Sequence, residues 1–217
     1  MDYISGGYYL IKSTHSSVLS ASECICDRYP DIFRVLWSTV IKQEVAREEL
    51  NLTIEQFSTF QSWLEKKIDN SSILAPPTSF CDLNTAKDAY FHFLHRIPDL
   101  KLIGIGLPPV FIKDFVRIQG ESIVEKQLYL QNQLDPRGKD LGYEILGLDD
   151  AGNTLHSYIC NGLDKDFQMS HSLQLNKYGF INTIDEAKKL STYANDMLEE
   201  TDVEYWGPWI VREYNLK

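Results

Sequence analysis

Apolar positions recur along the chain in two rhythms, one helical and one extended. Phe57, Phe60, Leu64 and Ile68 step by 3, 4 and 4 residues, with Trp63 beside them. That spacing predicts an amphipathic helix. Thr53-x-x-Gln56 just before it has the form of a capping box. Ala86, Tyr90, Phe93, Leu94 and Ile97 mark a second helix, capped by Asp82 or Asn84 and stopped by Pro98. A third begins at Thr183 or Asp185 and turns Ala187, Leu190, Ala194 and Leu198 inward. Nearer the start, Ser20-x-x-Glu23 opens a short helix to about Arg28, and Ile32, Val35, Leu36 and Val40 stripe a longer one over 31–50.

The extended rhythm is shorter and more scattered. Gly6 to Ile11 and Lys101 to Gly106 read as strands. Pro108-Pro109 opens a helical turn carrying Val110, Phe111, Phe115 and Ile118. Residues 121–134 fit either period, and the second half leans towards a strand. The clearest extended signal is Leu141 to Cys160. Two β-prone runs there flank Asp149-Asp150-Ala151-Gly152-Asn153, whose residues tolerate positive φ or bond their own backbone. Tyr143 and Ile145 face one way, and Glu144 and Leu146 the other. Both faces are largely apolar, so these strands are expected to be central and covered on both sides. Trp206-Gly207-Pro208-Trp209-Ile210-Val211 reads as an aromatic tail. The expected fold is α+β: an antiparallel or mixed sheet of four to six strands, centred on the 141–160 hairpin and packed by helices. We expect one domain over 1–217, with a substructure boundary near 71–79, where Pro76-Pro77 lies among serines.

Charge narrows the function classes. The 217 residues carry a formal net charge of −10. Residues 139–217 hold 7 basic against 14 acidic side chains. An acidic protein repels phosphate backbones, so no nucleic-acid partner is expected, and a basic protein fits better. No apolar run is long enough for a membrane span, and no signal peptide is legible at Met1 to Thr14. A cytoplasmic protein with reduced Cys24, Cys26, Cys81 and Cys160 is the expectation.

Motifs for catalysis are missing. Gly104-x-Gly106 lacks the third glycine of a dinucleotide loop, and no Gly-x-Ser-x-Gly or His-Glu-x-x-His occurs. No cofactor is expected. Asp88, His92 and His95 share one face of an α-helix and could meet a metal, but an exposed ion pair explains the spacing as well. His156 and Cys160 on one strand stand roughly 13 Å apart, too far for a nucleophile and its base. Two sets of site residues remain. Glu199, Glu200, Asp202 and Glu204 beside Trp206 and Trp209 would make a partner-binding patch, unless the tryptophans dock into the core. Glu144, Asp149, His156 and Tyr158 would line a pocket beside the hairpin, suited to an enzyme or a small-molecule binder.

Four stretches point further: Glu23 to Asp31, Leu141 to Asn161, Asn176 to Ile181, and Trp206 to Trp209. Together they resemble a group of small, acidic, cytosolic bacterial proteins found beside secreted toxins as their immunity proteins. The resemblance implies a non-enzymatic protein that neutralises a basic toxin by covering it with complementary charge. It carries no catalytic residue with it.

Overall fold

The structure, a computed structural model, describes residues 2–12, 50–69, 80–115, 128–149, 155–158, 173–197 and 203–216. The helices expected over 21–28 and 31–50 lie outside these, apart from Leu50, as do the boundary at 71–79 and the turn at 150–153. The described elements are β1 (Ile4–Lys12), α1 (Ile54–Asp69), α2 (Leu83–Ala89), β2 (Leu100–Leu107), α3 (Ile112–Phe115), β3 (Lys139–Asp149), β4 (Leu155–Ser157), α4 (Ile184–Asp196) and β5 (Val203–Tyr214). The fold is α+β, with one five-stranded antiparallel sheet in the order β1-β2-β5-β3-β4.

Local signals build the helices as read. Thr53 and Gln56 satisfy each other's backbone N–H at the start of α1, at 3.2 and 2.9 Å. Asp82 caps α2 by accepting from the Thr85 N–H at 2.8 Å. Thr183 caps α4 in the same way from Glu186. Residues 128–134, expected to extend, instead end a helical turn. Gln131 then takes a positive φ of 49°, and only Gln133 bridges the sheet, at Ile4.

The hairpin forms as expected, with Leu146 opposite Ser157 and Leu148 opposite Leu155. It is not the centre of the sheet. That place belongs to β5, the stretch read as a tail. β5 pairs with β3 from Val203 to Glu213 and with β2 from Ile210 to Tyr214. Pro208 lies before the stretch that β2 reaches. β5 is unpaired by β2 there, which is where a strand tolerates a proline.

Side chains alternate across the sheet and feed two layers. On one face Tyr8, Leu10, Leu102, Ile210 and Tyr214 meet α1 and α2 through Phe57, Phe60, Leu64 and Ala86. Further along that face Ile145, Tyr158 and Trp206 meet Ala187, Leu190 and Ala194 of α4. On the other face Tyr9, Ile103, Ile105, Leu146 and Trp209 pack with Phe115, Leu128 and Phe180. The outer edge of β1 is covered by backbone: Tyr8 exchanges two hydrogen bonds with Phe80, and Ser5 donates to Asn132. Such cover blocks edge-to-edge association. Among the described residues no helix is long and apolar enough to cross a membrane.

Candidate functional site

The two expected sites are not assembled as read. Glu144 is buried at 1% exposure, and its carboxylate accepts from Ser157 Oγ at 2.9 Å and from the Ile145 N–H at 3.2 Å. It stands opposite Trp209 in the ladder. Tyr158 lies on the other face, edge-on to Trp206 with ring centroids 5.1 Å apart. The sheet therefore separates Glu144 from Tyr158, and no single pocket holds both. The backbones of Asp149 and His156 pair with Val203 and Gly147; their side chains lie outside the described set.

Trp206 and Trp209 are 1% and 0% exposed. They are core, which corrects their reading as surface anchors. Glu204 belongs to β5, while Glu199, Glu200 and Asp202 lie outside the described residues. Asp88, His92 and His95 are all exposed, but the helix passes into a π-turn at Tyr90–Leu94. The wider turn breaks the phase that would align them. Among the described residues no three His, Cys, Asp or Glu side chains stand together as a metal site. Cys81 is a buried thiol whose pKa burial, with Asp82 nearby, pushes up to about 11. A thiol held protonated is a poor nucleophile.

Sequence reasoning missed a buried polar network. Gly104 and Gly106 leave room on β2 for Leu134, the rings of Tyr8 and Tyr214 and the Cβ of Tyr3; a Cβ at either would meet a neighbour at 3.0 Å or less. The glycines thus serve packing. The Tyr8 hydroxyl accepts from the Asp135 N–H at 3.0 Å, and the Tyr214 hydroxyl donates to the Asp135 carbonyl at 2.7 Å. Arg212, 7% exposed, donates to the same carbonyl at 2.8 Å and to the Asp140 carboxylate. The Tyr3 and Tyr143 hydroxyls bond each other. Burial pushes the phenols of Tyr8, Tyr143 and Tyr214 above the usual tyrosine range. The only local clue was the number of tyrosines on strands. Arg212→Leu is expected to cost about 1–3 kcal/mol in urea unfolding, because it removes two charge-assisted hydrogen bonds and leaves Tyr214 as the one described donor to the Asp135 carbonyl. Asp140→Asn should cost less, since the Asp140 side chain is 55% exposed.

A cleft of about 380 Å³ opens where β2 begins and β5 ends. Tyr90, Leu100, Lys101, Lys139, Glu213 and Leu216 contribute to its lining. Lys101 pairs with Glu213 at 3.1 Å. The Lys139 ammonium sits 4.7 Å from the centre of the Tyr178 ring, and Lys177 lies 5.0 Å from it. The hydrogen bond from Lys139 lowers the Tyr178 phenol pKa below its ordinary value, with Lys177 adding to the effect. A separate apolar groove of about 590 Å³ is lined by Ile4, Pro109, Val110, Ile112, Leu128 and Tyr129. No protein-family model matches this chain, and no curated protein or solved structure matches it either.

Proposed function

We propose that the chain is a non-enzymatic binding protein of the bacterial cytoplasm, and more narrowly an immunity protein that neutralises a basic toxin by protein–protein contact. The observation that carries this reading is charge. The net is −10, and 14 of the acidic residues fall in 139–217 against 7 basic ones. Excess surface charge of one sign steers an oppositely charged partner and raises its rate of encounter. The engagement of Arg212, Asp135, Glu144 and the tyrosines in hydrogen bonds supports a binding role over a catalytic one. With Trp206 and Trp209 in the core, Glu199, Glu200, Asp202 and Glu204 would meet the toxin as a charged rim, and the apolar anchors would come from elsewhere.

The test is affinity capture of the tagged protein from its host at low and high salt, followed by co-expression of any captured protein. A basic protein that is released at high salt, is toxic alone and is harmless beside this chain is the expected result. Replacing all four acidic residues with their amides should weaken that complex roughly 10- to 100-fold, mainly by slowing association. Absence of any partner at both salts overturns the proposal, as does a captured protein that is harmless when expressed alone.

A further inference from the structure

We propose that the cleft at the end of β2 and β5 binds a small monoanionic carboxylate bearing an apolar tail. In the ladder Glu213 stands opposite Lys139 of β3 and Ile103 of β2. Lys101, two residues from Ile103, reaches Glu213 diagonally. Lys101, Glu213 and Lys139 therefore form one cross-strand row, and two ammonium groups flank a single carboxylate. Taken by itself, the row of described residues sums to one positive charge. This lies against the charge of the whole chain, so the acidity that keeps a protein soluble does not account for it.

Lys139 also has an aromatic neighbour. Its ammonium lies over the Tyr178 ring, 4.7 Å from the ring centre. A cation drawn to an aromatic ring gives up less freedom on binding an anion than an unattached lysine would. Apart from Asn215, the rest of the lining is apolar or aromatic, from Tyr90, Leu100, Tyr214 and Leu216. Tyr90 is the first residue of the π-turn, and such turns recur at functional sites. The volume sits near the small end of ligand pockets, about 300–1,000 Å³. One net positive charge beside an apolar wall is the complement of a monocarboxylate with a short hydrophobic group. Inorganic phosphate would use only the charge.

The experiment is an amide-resolved NMR titration of the full chain with phenylacetate, phenylacetamide and inorganic phosphate. Phenylacetate should saturably shift the amides of Tyr90, Lys101, Lys139 and Glu213. Phenylacetamide should bind at least about 10-fold more weakly, a difference of about 1.4 kcal/mol. Lys139→Gln should weaken phenylacetate roughly 5- to 10-fold, whereas Glu213→Gln should tighten it by removing the competing carboxylate. A purely structural pair would not change sign in this way. No saturable shift with phenylacetate overturns the proposal, and so does equal binding of the amide or unchanged affinity in Lys139→Gln. Phosphate saturating the same amides as tightly would also overturn it, because the apolar wall would then play no part.

Discussion

A chain ending at residue 202 is expected not to fold at all. β5 occupies the middle of the sheet, and among the described strands it alone joins the β1–β2 pair to the β3–β4 pair. Without it, two hairpin-like fragments remain, and an isolated two-stranded unit is marginal in water. Trp209 concentrates the same dependence in one side chain. Its ring packs edge-on against Phe115 at 5.2 Å, and a Cβ on Gly6 would come within 2.3 Å of it. Gly6 is thus the seat of a tryptophan two strands away in the sheet order. Trp209→Ala should cost about 3–5 kcal/mol, since the buried contacts are lost and the cavity closes only in part. Trp209→Phe should cost much less, because among the described residues the indole Nε1 has no hydrogen-bond partner to lose. Chemical denaturation followed by circular dichroism checks both. A truncated chain with a cooperative transition, or a Trp209→Ala variant within about 1 kcal/mol of the parent, would contradict a central β5.

What the sequence made legible was local. A capping box needs residues three apart, so Thr53–Gln56 is legible directly, whereas the structure selects Thr183 over Asp185 as the cap of α4. The hairpin pairs residues close in the chain, and it too was visible. β5 was not, for two reasons. Its partners lie far away in sequence, as Trp209 opposite Glu144 and Ile210 opposite Gly106 illustrate. Gly207-Pro208 also looks like a strand breaker, and only the end of β2 pairing at Ile210 removes the objection. The site candidates failed for a related reason. Glu144 and Tyr158 are close in the hairpin, but alternation on paired strands sends them to opposite faces. The Lys101–Glu213–Lys139 row joins three strands and has no signature in any one of them. Asp88, His92 and His95 align only on an unbroken α-helix, and the π-turn at Tyr90 removes that alignment.

Alkaline solution should unfold the protein through its tyrosines. Burial raises the phenol pKa of Tyr8, Tyr143 and Tyr214, and pushes Tyr205 up to about 12 with Asp114 beside it. In the unfolded chain each of these returns to about 10. Below pH ~10 both states keep the phenolic protons and stability is at its full value. Between pH ~10 and the folded-state values the unfolded chain loses protons that the native chain retains, so stability falls as pH rises. The Tyr214 hydroxyl contributes twice: it needs its proton to donate to the Asp135 carbonyl, and its ionised form would face that buried oxygen. Tyr214→Phe should therefore cost about 1 kcal/mol near pH 7 yet lose less stability between pH 10 and 12 than the parent. Tyr178 serves as the internal contrast, since Lys139 and Lys177 lower its pKa and its ionisation is expected to leave the fold intact. Absorbance at the phenolate band, followed with circular dichroism across the same pH range, separates the two classes. Early phenolate signal with unchanged ellipticity is expected from Tyr178, and a later cooperative step in both signals from the buried set. Gradual ionisation of every tyrosine near pH 10 with no change in ellipticity would mean that the Tyr8–Tyr214–Asp135 network does not stabilise the sheet.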